Sequence, residues 1–213
     1  MSLSLQAIQS SSANLGVELS IAQAAQLSAF AALLIKWNRV HNLTALATPS
    51  AILSHHLLDS LSIVPELARL GSGRQLRVLD VGAGGGLPGY PVAIASPAIR
   101  LTAIDRVQKK TAFLQQARLQ LGLQNADVVH GRVEQYHSMP FDVIVSRAFA
   151  ELAEMVRLTS HLAAPDSHWL AMKGIYPTEE TSALPSTVEV VRTVKLDVPL
   201  LGAERHLVVL RPR

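Results

Sequence analysis

The sequence predicts an α/β fold with a mostly parallel, seven-stranded sheet, helices on both faces and an N-terminal helical extension. Seven apolar runs of strand length follow one another from residue 76 onward, and helical stretches separate the first five. Strands that alternate with helices are typical of a parallel sheet covered on both faces. A glycine-rich turn after the first run agrees with this fold, because ligand-binding loops follow the carboxyl ends of such strands.

Two helices are predicted before the first strand. One begins at a capping box formed by Ser20 and Gln23, and its apolar stripe ends at Ile35. The other begins at Thr48-Pro49, a cap residue followed by a proline in the first turn. We expect residues 36–44 between them to form a polar, basic connection with an exposed tryptophan.

The strands and helices of the remaining chain follow from its apolar pattern. Helices are expected at 107–121 and 151–163, and the last two strands are expected to pair as an antiparallel edge. At 213 residues the chain suits a single domain, in which 1–70 form the helical extension and 71–213 the α/β core. The seven predicted strands lie at 76–81, 99–105, 126–130, 141–146, 167–172, 187–197 and 206–210.

The composition excludes several classes of protein. No apolar run approaches the ~20 residues that a membrane span needs, and the N-terminus lacks the basic region and apolar core of a signal peptide. The chain has no cysteine, which excludes disulfides and thiol nucleophiles. These features predict a cytoplasmic protein. The net charge of +3 is compatible with nucleic acid as a partner but does not establish it.

The glycine-rich loop after the first strand is the main candidate for a cofactor site. Glycine lets the backbone turn sharply and approach a ligand closely. A dinucleotide fingerprint requires glycine where this chain has Leu87, and the Gly-Lys-Ser/Thr of a P-loop is absent. The pattern Asp-x-Gly-x-Gly-x-Gly resembles the first motif of S-adenosylmethionine-dependent methyltransferases, and here it comprises Asp80, Gly82, Gly84 and Gly86. We therefore favour cofactor binding over an ordinary strand-to-helix turn.

Acidic residues follow the second and third strands. Asp105 ends the second strand, where a carboxylate binds ribose hydroxyls in nucleotide-binding units. It is also suited to the first turn of the following helix. Val133 and Glu134 follow the third strand, where a backbone amide and a carboxylate suit the adenine edge. A solvated loop acid is an equally good interpretation of Glu134.

Arg147 closes the fourth strand, within Ser-Arg-Ala-Phe-Ala. In this class of enzyme, substrate contacts follow the fourth strand, and an arginine suits a phosphate or a guanine edge. The structural alternative is a surface ion pair with Glu151 or Glu154.

Two further groups of residues are candidate ligand sites. His55 and Asp59 share a helical face, but no third metal ligand is identifiable, so no metal is predicted and a polar contact between helices is favoured. Trp37, Arg39 and His41 suit RNA binding, although an aromatic residue packed on the domain is the commoner arrangement.

Taken together, the motifs resemble the RsmG (GidB) family of bacterial small-subunit ribosomal RNA methyltransferases. The resemblance covers roughly residues 38 to 210 in the family's order. It rests on Asn42-Leu43-Thr44, His56-Leu57-Leu58-Asp59-Ser60, Asp80 through Gly89, Arg132-Val133-Glu134, Ser146-Arg147-Ala148-Phe149-Ala150, Lys173-Gly174 and Glu204-Arg205-His206-Leu207.

The resemblance implies a Rossmann-like methyltransferase fold and S-adenosylmethionine-dependent methylation of N7 of one guanine in 16S ribosomal RNA. The substrate would be that RNA or the small-subunit particle, and we expect a monomer. The family's cofactor contacts would fall on Gly82, Leu87, Val133, Glu134 and Arg147. The strand-end argument adds Asp80 and Asp105, and Arg147 is also the predicted catalytic residue. The candidates for RNA backbone contacts are Lys36, Arg39, Arg132, Lys173 and Arg205.

One departure and three alternatives remain. Arg106 stands where a small polar residue is expected after the acid of the ribose pocket. A methyltransferase for another RNA or a small molecule would share the glycine loop. A nicotinamide oxidoreductase is disfavoured by Leu87, and a non-catalytic RNA-binding module by the intact loop.

Overall fold

A seven-stranded sheet organises the structure, a computed structural model that describes residues 3–46 and 48–213. The strand order is β3-β2-β1-β4-β5-β7-β6, in which β1 to β5 are parallel and β7 is antiparallel to both neighbours. The strands are β1 (Leu76–Val81), β2 (Ile99–Asp105), β3 (Ala126–His130), β4 (Phe141–Arg147), β5 (Ala163–Lys173), β6 (Val188–Lys195) and β7 (His206–Pro212). The predicted sheet is confirmed, with β6 as the antiparallel edge.

Helices cover both faces of the sheet. The α-helices are α1 (Leu5–Ala13), α2 (Ile21–His41), α3 (Pro49–Ala51), α4 (Asp59–Leu61), α5 (Val64–Gly71), α6 (Gly89–Ala95), α7 (Gln108–Leu121), α8 (Leu152–Thr159) and α9 (Thr178–Ser182). A π-helical segment, Ile52–Leu58, joins α3 to α4, and 3₁₀ turns occupy Val133–Gln135 and Ser160–Leu162. No helix among the described residues is long and apolar enough to span a bilayer.

Two apolar cores lie on opposite faces because successive strand residues point to opposite sides. In β1, Val78 belongs to the core beneath α2, α6 and α7, whereas Leu79 belongs to the core beneath α8. Both residues are at most 1% exposed. This double burial explains why the strands consist of continuous apolar runs rather than alternating ones.

The N-terminal helices pack directly on the α/β part of the chain. Ser20 and Gln23 form the predicted capping box, with Gln23 Oε1 accepting from the Ser20 amide at 2.9 Å. The Gln23 amide group also donates to the Ile94 carbonyl at 3.0 Å, and Gln26 donates to the Leu121 carbonyl at 3.0 Å. The same helix start therefore satisfies carbonyl groups at the ends of α6 and α7.

The structure differs from the predicted helix bounds in three places. The helix α2 continues through His41 and ends at Asn42, whose left-handed conformation (φ 50°) suits asparagine. The predicted polar connection with an exposed Trp37 is wrong, because Trp37 packs on Phe113 with ring centroids 5.6 Å apart. The gap between β3 and β4 holds only a 3₁₀ turn, and the predicted helix 151–163 ends as α8 followed by another such turn.

Candidate cofactor and RNA site

A cavity of about 490 Å³ opens where the parallel strands β1 to β4 end. Parallel strands present their carboxyl ends at one edge of a sheet, which is where ligands bind in open α/β folds. Cationic and acidic side chains both border this cavity, so it suits a ligand that carries charges of both signs. The lining residues include Val81, Gly82, Asp105, Arg106, Lys110, Arg132, Val133, Glu134, Ala148, Phe149 and Glu154.

The glycine loop has the conformation that its residues allow. Gly82 has φ +68° and Gly86 has φ +80°, values that L side chains rarely adopt. A Cβ on Gly86 would lie 2.9 Å from a methyl group of Leu114, so the loop also packs closely on α7. Gly82 lines the cavity, whereas Gly84, Gly86 and Leu87 are not among its lining residues.

Asp105 connects the glycine loop to the start of α7. Its Oδ2 accepts the amide of Gly84 at 2.9 Å, and its Oδ1 accepts the amide of Val107 at 2.8 Å. Lys110 approaches the same carboxylate at 3.8 Å. Asp105 also borders the cavity. Its position therefore agrees both with a role at the start of α7 and with the predicted contact to ribose hydroxyls.

Val133 and Glu134 border the cavity from the 3₁₀ turn after β3. Val133 is buried, whereas Glu134 is exposed and lies 3.3 Å from Arg132. A hydrogen bond from its own backbone amide, together with Arg132, lowers the pKa of the Glu134 carboxyl. Glu134 is therefore an ionised acceptor at neutral pH.

Asp80 lies beneath the glycine loop rather than in the cavity wall. It is fully buried, and its Oδ2 accepts the amide of Gly89 at 2.8 Å. Burial raises the pKa of Asp80 to about 7, although the bond from Gly89 opposes this shift. Asp80 therefore holds the end of the loop against β1, and the structure does not bring it to the cavity as the strand-end argument predicted. Leu87, which is 5% exposed, is likewise a core residue.

Arg147 lies at the end of β4 and is held by the π-helical segment and by the first residue of α4. Its Nη1 donates to the His55 carbonyl at 2.8 Å and to Asp59 Oδ2 at 3.0 Å. The predicted alternative, an ion pair with Glu151 or Glu154, is wrong, because the partner of Arg147 is Asp59, and Glu154 pairs with Arg157 at 2.7 Å. Arg147 is not a lining residue of the cavity, although Ala148 next to it is.

The predicted polar contact between helices is wrong for His55 and Asp59, because the ring of His55 lies 2.7 Å from the hydroxyl of its neighbour Ser54 and Asp59 pairs with two arginines outside the helices. Asp59 accepts from Arg147 and from Arg205, and His56 Nε2 lies 2.7 Å from the hydroxyl of Thr44. Burial lowers the pKa of His56. The segment 52–61 is therefore tied to β4, to β7 and to the loop after α2.

The five candidate RNA contacts fall into two groups. Lys36, Arg39 and Arg132 are exposed. Lys173 instead pairs with Glu180 at 2.7 Å, and Arg205 pairs with Asp59 at 2.6 Å. Lys173 and Arg205 thus each form an ion pair within the chain, which the sequence did not predict.

Two features of the site were missed from the sequence. Phe149 lies against Gly82 and borders the cavity, and Ala148 before it has φ +53°. Phe149 is part of the Ser-Arg-Ala-Phe motif, and this motif was the only feature of the sequence that could have indicated its place at the cavity. Asp59 was considered as a metal ligand, and nothing in its local sequence pointed to arginines 88 and 146 positions away.

Solved structures support the fold. TrmN from Thermus thermophilus superposes with a TM-score of 0.56 at 19% identity, covering 76% of this chain and 53% of that protein. A mutant of MtNAS in complex with S-adenosylmethionine gives a TM-score of 0.60 at 15% identity, covering 98% of this chain and 77% of that protein. At these identities the likeness shows a shared fold.

Comparison of sequences identifies the family. The chain is 52% identical over 202 residues to ribosomal RNA small subunit methyltransferase G of Ralstonia nicotianae, covering 93% of this chain and 91% of that protein. It is 49% identical over 203 residues to the protein of the same name from Aromatoleum aromaticum, covering 93% and 94%. The model of the GidB family, described as rRNA small subunit methyltransferase G, matches residues 23–208. This chain belongs to the GidB family.

Proposed function

We propose that this chain transfers a methyl group from S-adenosylmethionine to N7 of one guanine in 16S ribosomal RNA. The observation that carries the proposal is the link between Gly84 and Asp105, which joins the glycine loop of β1 to the acid that ends β2 at the wall of the cavity. Family membership supplies the reaction class, and the cavity supplies a place for the methyl donor.

The residues present fit this methyl donor. The absence of a side chain at Gly82 lets Phe149 pack against the loop at the cavity wall, because a Cβ there would lie 2.7 Å from Phe149. Asp105 retains acceptor capacity for ribose hydroxyls, since an ionised carboxylate has about four lone-pair sites and two are used here. We propose that Glu134 and the Val133 amide bind the adenine edge, and that Gly82 and Gly84 approach the amino acid part.

The chemistry places few demands on side chains. Bound S-adenosylmethionine supplies an electrophilic methyl group on a sulfonium. Guanine N7 carries a lone pair and no proton, so it forms the new carbon–nitrogen bond as the carbon–sulfur bond breaks, and no general base is required. The positive charge passes to the guanine, and sulfur keeps the bonding pair. The work of the protein is then to align the two reactants at a near-attack distance.

Arg147 is the proposed catalytic residue, in the sense that it touches the substrate. An arginine that reads guanine usually donates to both O6 and N7, but N7 has to stay free for methylation. We therefore propose that Arg147 does not contact N7. Its bonds to His55 and Asp59 fix the guanidinium and support a fixed direction of approach for its ligand.

The proposed substrate is 16S ribosomal RNA or the small-subunit particle. We therefore propose that the protein acts in the cytoplasm. Lys36, Arg39 and Arg132 are exposed and suited to phosphate contacts. We also propose that the protein acts as a monomer. The helices before residue 71 and the α/β core are proposed to form one domain, since Gln23 and Gln26 join them.

The experiment is a methyl-transfer assay with 16S RNA extracted from a bacterial strain that lacks this enzyme. Nucleoside mass spectrometry is expected to show 7-methylguanosine after incubation with the purified protein and S-adenosylmethionine. Arg147→Ala is expected to lower the single-turnover rate greatly. Arg74→Ala, whose ion pair with Asp142 lies at the amino ends of the strands, serves as the matched control.

The same assay distinguishes the alternatives. Methyl transfer to a small molecule but not to RNA would contradict the proposal and support a small-molecule enzyme. An absence of affinity for S-adenosylmethionine in calorimetry would contradict methylation altogether.

A further inference from the structure

Asp59 is a fully buried carboxylate that binds two arginines from distant parts of the chain. Its Oδ2 accepts from Arg147 Nη1 at 3.0 Å, and its Oδ1 accepts from Arg205 Nε at 2.6 Å. Asp59 itself is 0% exposed, whereas the side chains of Arg147 and Arg205 are 21% and 20% exposed. The carboxylate therefore lies inside, and the two arginine side chains are partly exposed.

This arrangement leaves positive charge and hydrogen-bond donors unused. One carboxylate faces two guanidinium groups, so the cluster has a net charge of +1. Within residues 3–46 and 48–213, Arg147 donates only through Nη1 and Arg205 only through Nε. The other N–H groups of both side chains make no hydrogen bond within these residues, and a guanidinium presents its N–H groups in a planar fork.

The cluster lies at the edge of the sheet that carries the cavity. Arg147 is the last residue of β4 and directly precedes Ala148, which lines the cavity. Arg205 directly precedes His206, the first residue of β7, which pairs with Lys173 at the carboxyl end of β5. Both guanidinium groups are thus close to the place where a substrate would approach the cofactor.

We propose that Arg147 and Arg205, held side by side by Asp59, bind one phosphate group of the RNA substrate. The proposal rests on the proposed function and names a site within it. A phosphate has the charge and the oxygen geometry that two guanidinium forks match. The contact would leave guanine N7 free, as the reaction requires.

Asp59 is a positioning residue in this site. Two guanidinium groups repel one another, and the carboxylate between them offsets that repulsion and fixes their directions. A pre-formed pair loses less conformational freedom on binding than two mobile arginines would. The π-helical segment contributes as well, since its His55 carbonyl holds Arg147 from a second side.

The test compares three variants in the full-length protein. Arg205→Gln removes one guanidinium at a partly exposed position, and Asp59→Asn removes the charge of the carboxylate. Glu66→Gln is the matched control, because Glu66 is also a buried carboxylate between two arginines, Arg69 and Arg192, on α5 and β6. RNA affinity is measured over a series of salt concentrations, and the affinity for S-adenosylmethionine is measured separately by calorimetry.

We expect Arg205→Gln to weaken RNA binding by about tenfold and to lower the salt slope by about one. The Kd for S-adenosylmethionine should stay within about twofold, because the lost contact is to RNA. Asp59→Asn should act in the same direction, and its effect on the Kd for RNA should be smaller in the Arg205→Gln background. Glu66→Gln should leave the salt slope unchanged.

Three results would overturn the inference. One is an unchanged salt slope in a folded Arg205→Gln protein. Another is an equal effect of Asp59→Asn in both backgrounds, which is expected if Asp59 only stabilises the fold. The third is a loss of affinity for S-adenosylmethionine with RNA binding intact, which would assign the arginines to the cofactor carboxylate. Methylation by the unaltered protein reports on the proposed function independently of all three.

Discussion

Phe149 lies directly over Gly82, so closely that a Cβ added to Gly82 would be 2.7 Å from Phe149 Cδ2. Gly82 follows β1 and Phe149 follows β4, and these two strands are neighbours in the sheet. Both residues border the same cavity. The shape of the proposed cofactor site therefore depends on the absence of a side chain at Gly82.

Gly82→Ala is expected to raise the Kd for S-adenosylmethionine by about tenfold or more, which corresponds to about 1.4 kcal/mol. The added methyl group would force Phe149, which borders the cavity, out of its present position. The positive φ would also cost about 1–2 kcal/mol of stability for an L residue. Calorimetric titration measures the first effect and thermal unfolding the second.

Gly122→Ala separates these two effects. Gly122 also has a positive φ (+64°), but a Cβ there would meet nothing within 4 Å. It should lose stability in the same way and bind S-adenosylmethionine normally. Equal affinities in the two variants would contradict the role of the Gly82–Phe149 contact.

Asp105→Asn is expected to lower the stability of the protein at the glycine loop and also its affinity for S-adenosylmethionine. The side-chain amide of asparagine would place a donor against the amide of Gly84 or Val107, where Asp105 now accepts two hydrogen bonds. A buried donor without a partner costs about 1–3 kcal/mol. Urea unfolding and titration with S-adenosylmethionine measure the two losses.

Asp127→Asn is the control for this substitution. Asp127 lies on β3 with a side chain that is 61% exposed, and it pairs with Arg118 at the surface. Its replacement should change stability by no more than about 0.5 kcal/mol. A similar loss in both variants would indicate a general effect of charge rather than the loop contacts of Asp105.

Asp80 is expected to make stability depend on pH. Its pKa is raised from 3.8 to about 7 by burial, so the folded protein keeps a proton that the unfolded chain releases between these values. The stability that this proton contributes is complete below pH 4 and is lost as the pH rises through 7. Asp80→Asn removes the titration.

The measurement is the free energy of urea unfolding of both proteins at several pH values. The value for the wild type minus that for Asp80→Asn should fall as the pH rises from about 4 to 7, by at most about 1.4 kcal/mol per pH unit. Above pH 8 the difference should be constant. A difference that is constant or that rises from pH 4 to 7 would show that the carboxyl is ionised in the folded protein.

Replacing Lys36 and Arg39 together with alanine is expected to weaken RNA binding at all sequences and to lower the salt slope by about two. Both side chains are exposed near the end of α2. The measurement is RNA affinity at several salt concentrations. Arg100→Ala is the control, because Arg100 is exposed near the amino end of β2, at the opposite edge of the sheet. A change in slope of about one for this control, half that of the double variant, would mean that only the total charge matters.

Much of the fold was predictable because it is encoded locally. Continuous apolar runs such as 76–81 and 99–105 predicted strands that the structure has at the same residues. The capping box at Ser20 started α2 where expected. The spaced glycines predicted the turn after β1. In the structure Gly82, Gly84 and Gly86 have positive φ, a conformation that side chains disfavour. These signals depend on neighbouring residues only, so a single sequence contains them.

The sequence by itself therefore determined the order of strands and helices, the glycine loop and the place of Asp105 at the end of β2. Only the tertiary structure decided which polar side chains border the cavity and which are buried or paired within the chain. Asp80 and Leu87 belong to the motif yet lie in the interior, and Lys173 pairs with Glu180. Asp59 meets Arg147 and Arg205 because the segment after α3 packs against the ends of β4 and β7. The physical reason is distance along the chain: burial and ion pairs between remote residues follow from packing, which no local pattern specifies.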